Sequence, residues 1–273
     1  MTDKCGGASL PESGCTPPAI IDDSNEDRGM EMTPDGRFAI LIPVYNHAGG
    51  IGPVIGRARR LGLPILVVDD GSTDGAAERL AAVGGITVIR HDENRGKGAA
   101  LLTGFAALAG EADWAVTLDA DGQHDPMDVP SLILAIPRGQ RPIVIGRREG
   151  MVGEDVPWTS RFGRKFSNFW VRCAGGPVLS DTQSGMRIYP LPEAAGLGVR
   201  ARRFQFEVEI LVRARWAGIP VIEAPVGVCY TPGSKRISHF RPFVDFCRNS
   251  ATFTRLIFLR IVRWIMIPGR GEI

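Results

Sequence analysis

The chain has 273 residues, 44% hydrophobic and 23% charged, which is the profile of a globular protein long enough for one sizeable α/β domain. Its five scattered cysteines, with no C-x-x-C pair and no zinc spacing, exclude a disulfide scaffold and a zinc module; no basic start followed by an apolar run marks a signal peptide, so a cytoplasmic body is expected. The formal charge of +2 conceals an asymmetry, because residues 1–36 carry eight acids and two bases and leave +8 on the remainder, which points to an anionic partner.

Residues 1–36, rich in Pro, Gly, Ser and Asp and without apolar periodicity, lack the surface to offset ordering entropy and read as a disordered acidic tail. From Phe38 short apolar runs alternate with stretches of helix length. The runs Phe38 to Val44, Pro64 to Val68, Ile86 to Arg90, Trp114 to Leu118 and Pro142 to Ile145 predict five buried strands of a parallel sheet. The segments Gly49 to Leu61, Asp74 to Val83, Gly96 to Ala109 and Pro126 to Ile136 supply the crossover helices. Further helices are expected at Trp158 to Cys173 and Phe204 to Ala217, a strand at Ile219 to Val228, and a last helix over 241–273.

In such a sheet ligands sit outside the carboxyl ends of the strands, where Asn46, Asp69, Asp70, Asp119 and Asp121 fall. Asp119 and Asp121, two residues apart past an apolar strand, face one pocket. With Gln123 and a diphosphate they suit Mg²⁺ or Mn²⁺, which take one or two carboxylates, phosphate oxygens and water. Four carboxylates on one rim repel unless cations or donors compensate, which argues against mere helix capping.

Four strings resemble a known family: Ile42-Pro43-Val44-Tyr45-Asn46, Val67-Val68-Asp69-Asp70-Gly71-Ser72-Thr73-Asp74, Asn94-Arg95-Gly96-Lys97-Gly98 and Leu118-Asp119-Ala120-Asp121-Gly122-Gln123-His124. In order and spacing over about residues 38–240 they are similar to family 2 glycosyltransferases, most nearly the dolichol- or polyprenyl-phosphate sugar transferases. The resemblance implies a GT-A fold for residues 37–240, an α/β nucleotide-sugar-binding domain with a mostly parallel central sheet flanked by helices. It implies that Pro43, Tyr45, Asn46, Asp69 and Asp70 surround the nucleoside and that Asp119, Asp121 and Gln123 hold the metal on the donor diphosphate.

Arg95 and Lys97 lie among glycines at the start of a helix, a place that suits an anion, while Gly98, Ala99 and Ala100 permit close helix packing. The string Asp181 to Arg187 resembles the family's loop near the reacting sugar and acceptor. Asp181 is the candidate general base if the acceptor is a hydroxyl; for a lipid phosphate, already an anion, it orients the sugar or acceptor. Arg147, Arg148, Arg187, Lys235 and Arg236 are the cations that could neutralise the leaving diphosphate, with Ser234 and Lys235 favoured by resemblance to a Gly-Ser-Lys loop. Glu207 is the acid expected near the acceptor, and His124 beside the acidic pair is a weaker metal contact.

Arg248, Thr252, Arg255, Arg260 and Arg263 fall on one side of the last helix and Phe253, Ile257, Ile261, Trp264 and Ile265 largely opposite. That pattern predicts a basic amphipathic helix on the cytoplasmic face of an anionic membrane, too charged to span it. Its apolar side could instead seat on the catalytic domain or on a second copy of the chain in a homo-oligomer. The partners implied are a nucleoside-diphosphate sugar and a lipid acceptor, with no role for nucleic acid. The competing readings are a D-x-D-G phosphohydrolase and a non-catalytic sugar-nucleotide-binding protein.

Overall fold

The computed structural model describes residues 35–149, 158–227 and 242–266, all within one compact unit. The expected tail up to residue 34, and the segment with Ser234, Lys235 and Arg236, lie outside the described residues. Seven strands are present: β1 (Phe38–Val44), β2 (Ile65–Asp69), β3 (Thr87–Arg90), β4 (Trp114–Thr117), β5 (Ile143–Arg148), β6 (Arg187–Pro190) and β7 (Val221–Val226). They form one sheet in the order β3-β2-β1-β4-β6-β5-β7.

β1 is central and buried on both faces, so its side chains alternate between two cores. Ile40, Ile42 and Val44 share a core with Ile51, Val54 and Ile55 of α1 (Ala48–Ala58), Leu80 of α2 (Ala76–Ala81) and Leu132 of α4 (Val129–Leu134). Ala39 and Leu41 meet Leu101 and Phe105 of α3 (Lys97–Leu108) and Ile210 of α6 (Phe206–Trp216) on the other face. Each such buried Ile, Leu or Phe contributes about 1.5–3 kcal/mol. A Cβ on Gly104 would lie 2.3 Å from Leu41 Cδ1, and one on Gly98 2.6 Å from Phe206 Cβ, so small residues set the close approach of α3 as expected. Pro43 sits in this central strand without breaking a ladder, because pairing with β4 ends at Leu41 opposite Thr117. A third cluster joins α5 (Trp158–Cys173), α6 and α7 (Pro242–Met266) through Val171, Val208, Val212, Phe253 and Leu256.

The five expected strands are present and run in one direction in a mostly parallel sheet, but the sequence reading lacks a sixth strand among them. β6 runs antiparallel to both neighbours and separates β4 from β5. It escapes sequence reading because it has four residues, begins with an arginine and ends in proline. β3 is an edge strand with mostly exposed side chains rather than a buried one. β5 extends through Arg147 and Arg148, which the apolar pattern placed after the strand. Among the described residues no helix is long and apolar enough to cross a membrane.

Candidate active site

The carboxyl ends of β1 and β2 are sewn together by short polar loops. Asn46, left-handed at φ 50°, donates from its N–H to Ser72 Oγ at 2.9 Å and accepts at Oδ1 from Thr73 N–H at 2.7 Å. Asp74 accepts from the Ala48 N–H at 2.8 Å, which starts α1. Both carboxylates of the Asp69-Asp70 pair accept from N–H groups of the loops that follow β2 and β3. Asp69 is buried, accepts from Ser72 N–H at 2.9 Å and has Arg90 Nε 3.4 Å from Oδ2, an oxygen with no hydrogen bond. Asp70, also buried, accepts from the Arg95 and Gly96 N–H groups at 2.9 and 2.7 Å and pairs with His91 Nδ1 at 2.7 Å. It therefore shapes the turn into α3, where Gly96 at φ 102° passes so close to Arg202 that a Cβ would lie 2.5 Å from its carbonyl oxygen.

That turn delivers Lys97 to the acidic rim. Its Nζ lies 2.6 Å from Asp119 Oδ1 and 2.5 Å from Glu207 Oε1, with all three side chains largely buried. Burial alone would lower the lysine pKa, but the two carboxylates outweigh it and hold the ammonium charged far above its ordinary range. Burial likewise pushes Asp119 up, yet the Lys97 charge and hydrogen bond win, keeping its carboxyl below the usual value. The loop after β4 alternates: Asp119 is half-buried, Ala120 buried and Asp121 exposed. Asp121 accepts from Gln123 through both the backbone N–H, at 3.0 Å, and the side-chain amide, at 2.7 Å. Gly185 closes the floor, since a Cβ there would fall 2.1 Å from Asp119 Oδ2. Among the described residues no three His, Cys, Asp or Glu side chains form a metal cluster by themselves. Two carboxylates and an amide oxygen, completed by substrate phosphate, are nonetheless a donor set that Mg²⁺ or Mn²⁺ accepts.

Across the same rim Arg148 grips Asp181 in a two-pronged ion pair, Nε to Oδ2 at 2.7 Å and Nη2 to Oδ1 at 2.9 Å. Asp181 is fully buried. Burial would raise its pKa, but the Arg148 hydrogen bonds and charge, with the Gln183 N–H, pull it below the ordinary carboxylate value. The loop carrying it is clamped from two sides: Glu223 of β7 accepts from the N–H groups of Ser180 and Asp181, and Asn168 of α5 accepts from Thr182 N–H and donates to Ser180 O. His124 is buried nearby, within electrostatic reach of Asp119, Asp181, Lys97 and Arg148. Burial, first among its influences, lowers its pKa to about 4, so the imidazole is neutral at physiological pH. Its Nδ1 has no hydrogen-bond partner among the described residues.

The structure thus brings together Lys97, Asp119, Asp121, Gln123, Asp181 and Glu207, and leaves other expected residues elsewhere. Arg187 is in the core, its guanidinium donating to the carbonyls of Ser184, Thr182 and Glu207, so it braces the loop from within. Strand alternation turns Arg147 outward to pair with Glu149 at 2.9 Å and turns Arg148 to the site. Pro43 is buried inside β1, Tyr45 is half-buried at its end, and the Arg95 side chain is exposed. Glu223, Asn168 and His91 are the groups sequence reading missed as site builders, and Arg148, expected as a cation for the diphosphate, is found paired with Asp181. Period-two counting from Val144 through Gly146 puts Arg148 on the opposite face from Arg147; the missed groups act across longer sequence separations.

A family model described as glycosyl transferase family 2 matches residues 39–191. An uncharacterised protein of Methanocaldococcus jannaschii is 32% identical over 207 residues, covering 74% of this chain and 84% of that protein. A UDP-N-acetylglucosamine–dolichyl-phosphate N-acetylglucosaminyltransferase of Methanococcus voltae is 29% identical over 72% of this chain and 87% of its own length. A polyprenol monophosphomannose synthase of Mycolicibacterium smegmatis is 30% identical over 71% and 78%. Among solved structures, GalNAc-T7 with UDP, GalNAc and Mn²⁺ superimposes with a TM-score of 0.50 at 14% identity over 81% of this chain and 47% of that one, a likeness of fold.

Proposed function

This chain belongs to glycosyltransferase family 2, and from that premise we propose that it transfers a sugar from a UDP- or GDP-linked donor to a polyprenyl-type lipid phosphate. The membership sets aside the phosphohydrolase and the non-catalytic binder, and the names of the Methanococcus and Mycolicibacterium relatives support a lipid-phosphate acceptor.

The observation that carries the choice of acceptor is the Arg148–Asp181 fork. A hydroxyl acceptor needs a base to take its proton, and a base must be free to accept it. Asp181, the sequence candidate for that task, is buried, doubly bonded to Arg148 and held below its ordinary pKa. Glu207 and Asp119 are engaged by Lys97. A phosphate monoester is already an anionic nucleophile and needs none of them. Its oxygen attacks the anomeric carbon, the bond from that carbon to the donor diphosphate breaks, and the nucleoside diphosphate leaves with the electron pair. One displacement inverts the anomeric centre. Asp181 then serves as a positioning residue that aims Arg148, a cation suited to an anionic acceptor.

Asp119, Asp121 and Gln123 would hold Mg²⁺ or Mn²⁺, which supplies positive charge to the diphosphate as the bond breaks. Lys97 orients Asp119, and Glu207 orients Lys97. The loops tied by Asn46 and Ser72 form the seat proposed for the nucleoside, and the enzyme works on the cytoplasmic face of a membrane. The test is a screen of UDP- and GDP-sugars with a short-chain isoprenyl phosphate and with the matching isoprenol. Nucleoside diphosphate release dependent on the phosphate supports the assignment; transfer to the alcohol alone overturns it.

A further inference from the structure

We infer that the outward face of α7 docks on a lipid bilayer through its apolar side chains, and that Arg255, Arg260 and Arg263 are clamps to the catalytic domain; this rests on the lipid-phosphate reading above. The sequence pattern suggests a basic stripe reaching toward anionic lipid, and the structure turns that stripe inward. Arg255 Nη2 lies 2.5 Å from the buried Glu209, Arg260 Nη1 donates to Cys173 O at 3.0 Å, and Arg263 stacks 5.4 Å from the Trp216 ring centre. Arg248 pairs with Asp245 of its own helix at 3.2 Å.

The opposite side is what a water-facing helix would not carry. With the fully buried Leu256 as the inward mark, successive residues advance by about 100°. The sector opposite, between about 120° and 200°, holds Phe243, Cys247, Ser250, Thr254, Phe258, Ile261 and Ile265, with no charged residue among them. Phe258 is 64% exposed and Ile265 62%. Of the thirteen large hydrophobic side chains exposed among the described residues, eight belong to α7, so the exposure is concentrated and marks an interaction surface.

A bilayer fits this surface better than a second copy. The row has a hydroxyl pair at its centre, and both hydroxyls are satisfied within the helix: Ser250 donates to Phe246 O and Thr254 to Ser250 O, each at 2.9 Å. At a helix-to-helix seam these two would replace core side chains, whereas at headgroup depth they remain compatible with water while the phenyl and isoleucyl groups insert. The helix that carries the surface is joined through α5 to the loop holding Asp181. α7 packs on α5 through Phe166 and Phe253, and α5 holds the Asp181 loop through Asn168. Phe169, exposed on α5, adds a further apolar side chain.

The test is co-sedimentation of the full chain with vesicles of phosphatidylcholine, alone and mixed with phosphatidylglycerol, beside a variant carrying Ile261→Ser and Ile265→Ser. Wild type is expected to bind both vesicle types and to lose no more than about threefold in affinity between about 0.1 and 0.5 M salt, because apolar insertion is not screened. The double variant is expected to melt at the wild-type temperature, to remain monomeric, and to lose about a hundredfold in partitioning, about tenfold for each side chain withdrawn. It should still turn over a soluble short-chain isoprenyl phosphate. Wild type that ignores both vesicles, binding that vanishes in salt, or a double variant that binds as well overturns the inference. So does a wild-type dimer that the double variant dissolves, which would assign the stripe to a second copy. If wild type binds vesicles yet transfers to no phosphate acceptor, the docking surface stands and the acceptor reading fails.

Discussion

Replacing Lys97 by methionine tests the electrostatic centre of the site. The substitution keeps the length of the side chain and removes the charge between Asp119 Oδ1 and Glu207 Oε1. Breaking a largely buried ion pair by deleting one partner costs about 3–5 kcal/mol, because the remaining charge stays buried without compensation. For a domain of this size that is a fall in Tm of about 6–20 °C. The pH dependence has a definite sign. In wild type Asp119 is held below the ordinary carboxylate pKa, so its stabilising share is complete at neutral pH and disappears as the pH falls through the carboxylate range. In Lys97→Met Asp119 loses the charge that holds its carboxyl down while burial still pushes it up, so the penalty is greatest at neutral pH and shrinks as the pH falls into the carboxylate range. Adding Glu207→Gln to Lys97→Met should recover at least about 1 kcal/mol, the coupling that a double-mutant cycle isolates. Thermal unfolding by circular dichroism across that pH range is the assay. A fall below about 3 °C at neutral pH, or an equal fall at every pH, would refute the reasoning.

Three further outcomes follow from the geometry. Arg148→Lys exchanges a two-pronged grip on Asp181 for a point charge and should lower kcat at least about tenfold, whereas Arg147→Ala on the outer face should change stability by less than about 0.5 kcal/mol; equal effects on turnover would contradict the assignment of faces. Gly185→Ala drives a methyl group into Asp119 Oδ2, so Mn²⁺ affinity followed by electron paramagnetic resonance should fall at least about tenfold with the fold retained in far-ultraviolet circular dichroism; unchanged affinity would remove Asp119 from the metal site. Asp121→Asn should reduce both Mn²⁺ binding and turnover by about two orders of magnitude, and full activity in chelator would contradict a metal requirement.

Much of the fold is legible in the sequence because burial on both faces of a central sheet produces continuous apolar runs. Phe38 to Val44 is such a run, and its strand coincides with the expected bounds. β6 is not legible, because its arginine can be buried only through hydrogen bonds to carbonyl groups that the folded loop assembles. The rim is readable as a set of acids at strand ends, but the partner of each acid is not. Asp70 is claimed by backbone N–H groups 25 and 26 residues away, Glu207 by a lysine 110 residues away, and Asp181 by an arginine 33 residues away. A carboxylate's chemistry is set by these partners, so the sequence leaves Asp181 open between a base and an orienting group, and the Arg148 pair that bears on the choice is visible only in the fold. The same holds for α7. Its period is plain in the sequence, but which side faces inward depends on Glu209, Cys173 and Trp216, which belong to other helices.

The central claim, that an oxygen of the acceptor phosphate is itself the nucleophile, is tested most directly with an isoprenyl phosphate carrying ¹⁸O in its non-bridging positions. The account predicts that the product shows an isotope-shifted anomeric ¹³C resonance from a sugar–¹⁸O–phosphorus bridge, that the configuration at that carbon is inverted, and that the released nucleoside diphosphate is unlabelled. Release of a nucleoside monophosphate, or an anomeric carbon bonded only to ¹⁶O, would contradict it.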